Sequence, residues 1–288
     1  MCKVAVVTTG FFDGVHLGHR HVLETVVSSA RERGEEAVVV TFWPHPRTVL
    51  QQDAREFRLL TTMEDKKALL SRAGIDRVVV IPFTREFAAL TAAGYLELLR
   101  EEYGATLVVM GYDNRIGSDK LTAREIGSSQ AIITVGECHS GRSEESVSST
   151  VIRKALEGGE IGRANEMLGY RYGLYGVVVA GNRMGRTIGF PTANMQLYEP
   201  LKLIPCNGVY AVEVEVLGAS YKGMCNIGTR PTVGGTARTI ETHILDFDED
   251  IYGLPLRLRF VRRIRDERKF ASLDALRLQL EKDRELCR

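Results

Sequence analysis

The chain has 288 residues, a formal net charge of +1 and five cysteines. This length predicts two domains, and the near-zero net charge excludes a general attraction to the nucleic-acid backbone. The cysteines are scattered without a CxxC pair, which argues against a disulfide framework and against a zinc site.

The lengths of the apolar runs predict the cellular compartment. The run at the N-terminus is too small for a signal peptide. No stretch approaches the roughly 20 apolar residues of a membrane span. We therefore expect a cytoplasmic protein with small-molecule substrates, no nucleic-acid or membrane partner, and a monomeric or weakly homo-oligomeric state.

Residues 1–169 alternate between apolar strands and helical stretches. Helices are predicted near 17–33, 64–73 and 92–103, and Thr61-Thr-Met-Glu64 has the spacing of a capping box. The predicted strands are Val4–Val7, Ala37–Phe42, Arg77–Ile81, Thr106–Met110 and Ala131–Val135. This alternation predicts a parallel sheet covered on both faces, with ligands at the carboxyl ends of its strands.

The first strand leads into the stretch Gly10-Phe-Phe-Asp-Gly-Val-His-Leu-Gly-His19. A strand that breaks at glycines and continues as a helix presents backbone N–H groups and a positive dipole end at one point, which suits phosphate. His16 and His19 are three residues apart and can face the same anion. The stretch therefore predicts a nucleotide site.

Three further stretches fall at strand ends or at a helix start. Trp43-Pro-His-Pro46 is a rigid turn that carries His45, and Gly111-Tyr-Asp-Asn-Arg-Ile-Gly117 ends a later strand. Ser148-Ser-Thr-Val-Ile-Arg153 places hydroxyls and an arginine at the start of a helix, a combination that suits phosphate. Each feature alone has an ordinary structural explanation, such as a helix cap, but together they indicate a site at one edge of the sheet.

The motifs of this half resemble a known family. The sequence "GFFDGVHLGH" resembles the HxGH nucleotidyltransferases, a Rossmann-like superfamily, and "SSTVIR" is similar to their second signature. Together with "FWPHP", "LTTMEDKKALL", "IPFTREFAALTAAGYL" and "GYDNRIG", they resemble the FAD synthetase half of bacterial bifunctional riboflavin kinase/FAD synthetase. The resemblance implies that FMN phosphate attacks the α-phosphorus of ATP directly, which gives FAD and pyrophosphate.

The resemblance also implies residue roles. His16 and His19 would stabilise the pentavalent phosphorus and the leaving pyrophosphate, and Arg153 would hold the polyphosphate. Ile116 departs from the family, which usually has an aromatic residue before the second glycine of that loop. The implied nucleotide- or flavin-binding residues are Gly10, Phe11, Phe12, Asp13, Gly14, Gly18, His45, Asp113, Ser148, Ser149 and Thr150.

The second half, 170–288, follows a connector with two short helical pieces and has a different periodicity. Val212, Val214 and Val216 alternate with charged residues, which predicts strands of an antiparallel barrel. The end of the chain is predicted to be a helix capped by Ser272, with Leu273, Leu276 and Leu280 on one face.

Two stretches of this half carry candidate chemistry. The glycine-rich stretch Gly181–Asn194 ends in Thr192 and Asn194, two oxygen donors suited to Mg²⁺, which completes its shell with phosphates and water. If extended, the stretch Thr239–Phe247 places Glu241, His243 and Leu245 on one face. Composition alone favours an outward-facing strand carboxylate for Glu241, because an inward acid is costly without a partner or a task.

The stretches "GFPTAN", "NIGTRPT" and "ETHILDF" resemble the riboflavin kinase module of the same family. This implies a six-stranded barrel with a C-terminal helix that converts riboflavin and Mg-ATP to FMN and ADP. Thr192 and Asn194 would hold Mg²⁺ and phosphates, and Glu241 would be the general base. Further implied binding residues are Gly181, Gly185, Gly189, Phe190, Pro191, Arg230 and Arg265.

The leading hypothesis is an enzyme that converts riboflavin to FMN and then to FAD. A flavin- and nucleotide-binding sensor, or a riboflavin kinase with an impaired adenylyltransferase module, is favoured only by Ile116. A different HxGH transferase with an accessory barrel is the third hypothesis, and "GFPTAN" and "ETHILDF" weigh against it.

Overall fold

The computed structural model describes residues 3–50, 57–127, 131–136, 146–181, 184–232 and 235–288. The chain divides into two compact units, Met1–Ser149 and Thr150–Arg288. The predicted functional boundary after residue 169 is a separate matter and stays a prediction. Within the described ranges, no helix combines the length and the apolar character that a membrane crossing requires.

The first unit is built on a parallel sheet of five strands in the order β3-β2-β1-β4-β5. The order reverses between β1 and β4, and this is the point at which such sheets bind ligands. The strands are β1 (Ala5–Thr9), β2 (Glu36–Trp43), β3 (Arg77–Pro82), β4 (Ala105–Gly111) and β5 (Ile132–Val135). The helices are α1 (Leu17–Arg33), α2 (Pro46–Leu50), α3 (Met63–Arg72), α4 (Arg85–Ala88), α5 (Ala92–Tyr103) and α6 (Ala123–Ile126).

Both faces of this sheet are buried, as the continuous apolar strands predict. Val6 lies in one core cluster with Leu23 and Val26 of α1. Its neighbour Val7 lies in a second cluster with Leu99 of α5. Successive residues of a strand point to opposite faces, so helices on both sides of the sheet bury the alternate residues of β1.

The N-cap of α3 lies one residue later than the predicted capping box places it. Thr62, and not Thr61, is the N-cap, and its hydroxyl accepts the N–H of Asp65 at 3.0 Å. Thr61 is instead buried, and its hydroxyl accepts the N–H of Gly14 at 3.0 Å. The adjacent threonines therefore have different tasks. Thr62 starts the helix, and Thr61 supports the loop Gly10–His16 between β1 and α1, called the glycine–histidine loop below.

The second unit contains a closed antiparallel barrel in the order β10-β7-β6-β11-β8-β9, which confirms the predicted architecture. Its strands are β6 (Gly173–Val179), β7 (Ala193–Leu197), β8 (Gly208–Val216), β9 (Ala219–Thr232), β10 (Gly235–Ile244) and β11 (Pro255–Arg265). The helices are α7 (Ser149–Glu157), which begins at the last residue of the first unit, α8 (Ile161–Leu168), α9 (Met184–Thr187) and α10 (Leu273–Cys287).

The last helix covers part of the outer face of the barrel. Ser272 caps it as predicted and accepts the N–H of Ala275 at 3.2 Å. Leu280 packs against a buried cluster that includes Val209 and Met224. Leu273, which the helical spacing places on the same face, is 56% exposed.

Candidate functional site

The loop between β1 and α1 is held in an unusual backbone conformation. Phe12 and Val15 have positive φ angles of 52° and 39°, as does Gly14 at 85°. Residues other than glycine rarely have a positive φ unless the surrounding structure stabilises it. The support comes from the buried carboxylate of Asp13, which accepts the N–H groups of Leu60 and Thr61 at 3.0 Å. The acid therefore shapes the loop and is fully engaged in doing so.

His16 and His19 lie together at the mouth of α1. His16 is the N-cap, and its Nδ1 accepts the backbone N–H of His19 at 3.3 Å. The two rings stack with centroids 3.6 Å apart. Gly18 makes this possible, because a Cβ at that position would lie 3.2 Å from His16 Nδ1. The structure thus brings the two predicted histidines to one point at the carboxyl end of β1.

The electrostatics of this point suit an incoming anion. Burial lowers the pKa of His19 well below its usual value, and the neighbouring His16 and Lys66 lower it further. Its Nδ1 is buried and has no hydrogen-bond partner among the residues that the structure describes. A phosphate oxygen here would stabilise the charged imidazole and would therefore raise the pKa of His19.

Sequence reasoning missed Lys66, which is only 1% exposed. Its Nζ lies 3.5 Å from the centre of the Phe11 ring. Burial lowers its pKa to about 8, against the opposing charge of Asp13. A signal was present, since Lys66 follows Met63 by three residues and precedes Leu70 by four, which places a lysine on the buried side of α3.

The other predicted residues of the first site have separate positions. The Ser149 hydroxyl donates to the backbone carbonyl of Asp13 at 2.8 Å, which joins the start of α7 to the loop. The His45 ring lies 3.9 Å from that of Phe11. Arg153 is half-buried one turn into α7, beyond Ser148 and the exposed Thr150.

The stretch after β4 follows the end of that strand, as predicted, and is divided between the surface and the core. Asp113 is exposed, and its neighbour Asn114 contacts the end of β1 by donating to the Thr9 carbonyl at 3.0 Å. Ile116 is 5% exposed and belongs to the core cluster of the sheet. The family departure at this residue is therefore a change in core packing.

The second centre is a cavity of about 380 Å³ on the outer face of the barrel, lined in part by α10. Ile240 and Thr242 are fully buried, so Glu241 lies on the opposite face of β10. It is outward-facing, as composition favoured, but the cavity covers it and leaves its side chain 19% exposed. The residues lining this cavity include Ile188, Phe190, Thr192, Asn194, Arg230, Glu241, His243, Arg265, Phe270, Leu276 and Leu280.

The polar groups of this cavity are held by short-range contacts. Glu241 forms an ion pair with Arg230. Arg265 forms a bidentate pair with the fully buried Asp283, with Nε–Oδ2 and Nη2–Oδ2 distances of 2.9 and 2.6 Å. His243 Nδ1 lies 2.8 Å from the Pro191 carbonyl, and burial lowers the pKa of this imidazole.

The glycine-rich stretch places Asn194 beside Glu241. The two residues are partners in the register between β7 and β10. A Cβ on Gly181 would lie 2.2 Å from Asn194 Nδ2, and one on Gly185 would lie 2.2 Å from the Phe190 carbonyl oxygen. Gly189 has a φ of 81°. A close approach or a positive φ therefore explains why each of these positions is glycine. Gly181 leaves the space that the side chain of Asn194, a predicted metal ligand, occupies.

Thr192 connects this cavity to a second one of about 410 Å³, because its side chain lines both. The second cavity was not predicted. Its lining residues include Val178, Arg186, Ala193, Asp248, Asp250, Ile251 and Tyr252. The acidic run Asp246–Asp250 was a visible signal, but an acidic run is more often a solvated loop.

These two centres define a class: a nucleotide-handling transferase with a Rossmann-like domain and a barrel domain. The family model described as FAD synthetase matches residues 2–150. The model described as riboflavin kinase matches residues 168–288.

Curated relatives extend over most of the chain. A bifunctional riboflavin kinase/FMN adenylyltransferase of Listeria monocytogenes is 38% identical, covering 96% of this chain and 90% of that protein. Its namesakes from Bacillus subtilis and Escherichia coli K12 are 36% and 38% identical, covering 98% and 96% of this chain and 90% of each of those proteins. The chain therefore belongs to the bifunctional riboflavin kinase/FMN adenylyltransferase family, the transferases of FMN and FAD biosynthesis.

A solved structure supports the fold over the whole chain. It is described as a macrolide-efflux protein from Streptococcus pneumoniae, has a TM-score of 0.94 and is 33% identical. The match covers 100% of this chain and 94% of that one. The likeness concerns the fold of both units, and the efflux activity in that description belongs to the other protein alone.

Proposed function

We propose that the barrel cavity that contains Glu241 is the riboflavin kinase site. The observation that carries this assignment is the position of the carboxylate: Glu241 faces a cavity with apolar and aromatic walls, beside Asn194 in the strand register. The walls suit a flavin ring. The γ-phosphoryl of ATP passes to the ribityl 5′-hydroxyl, and Glu241 accepts the proton of that hydroxyl.

ATP is assigned to the neighbouring cavity of about 410 Å³. Thr192 supports this arrangement because it lines both spaces, and a phosphoryl group must pass between the two substrates. Arg230 orients the Glu241 carboxylate through their ion pair. Arg265 is fixed by Asp283, so its guanidinium forms a rigid part of the flavin-side wall.

The residues present fit Mg²⁺. Thr192 and Asn194 offer two oxygen donors beside a carboxylate, and Mg²⁺ typically takes few protein ligands and completes its shell with phosphates and water. No group of three or more His, Cys, Asp or Glu in the described ranges could hold a metal by itself. Bound there, Mg²⁺ would neutralise phosphate charge.

The first unit is assigned to adenylyl transfer. A bond forms between an FMN phosphate oxygen and the α-phosphorus of ATP, and the bond to the β-phosphate oxygen breaks. His16 and His19 stabilise the charge that develops on the phosphorus and on the pyrophosphate. The hydroxyls of Ser148 and Ser149 bind the polyphosphate, and the roles that the family resemblance implies for Thr150 and Arg153 stay predictions. The support for this is the link from Ser149 to the Asp13 carbonyl.

Product analysis tests the proposal. The full-length protein is incubated with riboflavin, ATP and Mg²⁺, and the flavins are separated over time. We expect FMN first and FAD after it, with FAD formed directly when FMN is supplied. FMN alone would mean an impaired first unit, and neither product would leave a binding protein. The cytoplasmic location, the monomeric or weakly homo-oligomeric state and the absence of nucleic-acid partners stay predictions.

A further inference from the structure

The side chain of Lys66 is a buried cation with no hydrogen-bond acceptor within the described ranges. It is 1% exposed, and its Nζ has no hydrogen-bond partner among the residues that the structure describes. An ammonium group has three donors and no acceptor function, and its burial without a partner is costly. The face of the Phe11 ring offsets part of that cost but accepts no ordinary hydrogen bond.

The surroundings show where a partner would come from. Lys66 lies on α3 beside the glycine–histidine loop, where its charge lowers the pKa of His19 and the charge of Asp13 opposes the lowering of its own pKa. Asp13 is occupied by the N–H groups of Leu60 and Thr61. His19 Nδ1 is likewise buried without a partner in the described ranges. The Lys66 ammonium on α3 and His19 Nδ1 on α1 are thus two buried nitrogens without partners in the described ranges, and a ligand with several acceptor oxygens suits them.

We propose that Lys66 is a phosphate-binding residue of the adenylyltransferase site, where its ammonium group contacts the β- and γ-phosphates of ATP that leave as pyrophosphate. This rests on the proposed function of the first unit. Before ATP binds, the ammonium lies against Phe11. The phosphate oxygens then accept hydrogen bonds from the ammonium group. Binding therefore offsets the unfavourable free energy of burying this charge in the empty site.

The variant that tests this is Lys66→Met, which keeps the length of the side chain and removes its charge. The matched control is Lys67→Met, at the adjacent exposed lysine. We expect kcat/KM for ATP in FAD formation from FMN to fall about 10- to 100-fold in Lys66→Met, the scale of a hydrogen bond to a charged group. Lys67→Met and the riboflavin kinase rate of both variants should remain at the wild-type level.

Stability separates a binding role from a structural one. Removal of an unsatisfied buried charge should leave the unfolding midpoint of Lys66→Met at or above that of the wild type. A lower midpoint together with an unchanged kcat/KM for ATP would overturn the proposal. The same conclusion would follow if both variants had the same kinetics.

A measurement on the wild-type protein needs no variant. Calorimetric titration with α,β-methylene-ATP, in two buffers of different ionisation enthalpy, counts the protons taken up. With a pKa of about 8 in the empty site, Lys66 itself should take up about half a proton at pH 8 and almost none at pH 6.5, where the amine is already charged. His16 and His19 are the other nearby titrating groups, and any uptake by them would grow toward low pH.

The affinity for the analogue should correspondingly fall between pH 7 and pH 9. A flat affinity and no proton uptake at pH 8 would contradict the proposal. If the wild-type protein formed no FAD while the analogue still showed this uptake, the proposed reaction would fail and the phosphate-binding role of Lys66 would stand.

Discussion

Each unit presents its own phosphate site, and the side chains that suit a ligand differ between the two sites. At the loop between β1 and α1, the polar groups that suit a ligand are nitrogens: those of His16 and His19 and the buried ammonium of Lys66. The carboxylate of that loop, Asp13, is occupied by backbone N–H groups. In the barrel, the cavity combines the oxygens of Thr192, Asn194 and Glu241 with arginine side chains, and Arg230 pairs with Glu241.

The difference follows the nucleophile of each reaction. FMN phosphate is already an anion when it attacks, so adenylyl transfer needs neutralising cations and no base. The ribityl 5′-hydroxyl is neutral and must lose a proton, so the kinase needs a carboxylate within reach. Asp13 accepts backbone N–H groups and has a structural role, whereas Glu241 lines a cavity and can act as a base.

Glu241→Gln should give the largest effect, because it removes the only base assigned to either reaction. We expect the rate of FMN formation to fall about 10²- to 10⁴-fold, with FMN-to-FAD conversion unchanged. The control is Glu215→Gln, another strand carboxylate that pairs with an arginine, Arg259, at 2.8 Å. Loss of FAD formation in Glu241→Gln would refute separate sites.

Asp283→Asn tests the support of the barrel wall. Asp283 is fully buried and holds Arg265 by a bidentate contact, so the change leaves a guanidinium without its countercharge. We expect a loss of about 3–5 kcal/mol in the free energy of unfolding of this unit, measured by hydrogen exchange of barrel peptides under guanidinium. Asp266→Asn breaks an exposed pair with Arg263 and should cost under about 1 kcal/mol. Equal losses in the two variants would contradict this interpretation.

His19→Gln tests the site in the first unit, where nitrogen atoms face the phosphates. The rate of FAD formation from FMN should fall about 10²- to 10³-fold, as when a stabilising donor is removed from a site of developing charge, and riboflavin phosphorylation should persist. His21→Gln is the matched control, since that imidazole is exposed two residues further along α1. An unchanged rate of FAD formation in His19→Gln would remove the residue from the mechanism.

The fold and the two histidines could be predicted because they depend on local patterns. Apolar strands beside helices of period 3.6 fix a parallel sheet, and alternation of period 2 indicates the barrel. The glycine breaks before His16 and the three-residue spacing to His19 place two rings at one helix start. All of this information lies within a few neighbouring residues.

What the sequence did not predict depends on contacts between distant segments. Lys66 is charged and belongs by composition to the surface, and only the packing of α3 against the loop makes it buried. Ile116 was recognised only as a departure from the family's usual aromatic residue, and the structure packs it in the sheet core. The cavity around Asp248 and Tyr252 forms only when β6, β7 and β10 close the barrel. Patterns of neighbouring residues in the sequence do not predict these contacts between distant segments.

Gly181→Ala is the smallest change and the most direct test of the oxygen-rich side. A methyl group there would lie 2.2 Å from Asn194 Nδ2, so the amide must move away from its place beside Glu241. We expect the riboflavin kinase rate to fall about 10- to 100-fold, the scale of a misplacement near 1 Å, and the half-saturating Mg²⁺ concentration to rise, while FAD formation from FMN stays unchanged.

The control for this variant is Gly162→Ala in α8, where an added Cβ meets nothing within 4 Å in the described structure. That substitution should leave both rates intact and, in a helix, should not lower stability. If Gly181→Ala lowered the rate with an unchanged Mg²⁺ dependence, Asn194 would orient substrate and would not bind the metal. An unchanged rate would remove Asn194 from the site and leave Glu241 as the only polar group of β7 and β10 with a role in the kinase reaction.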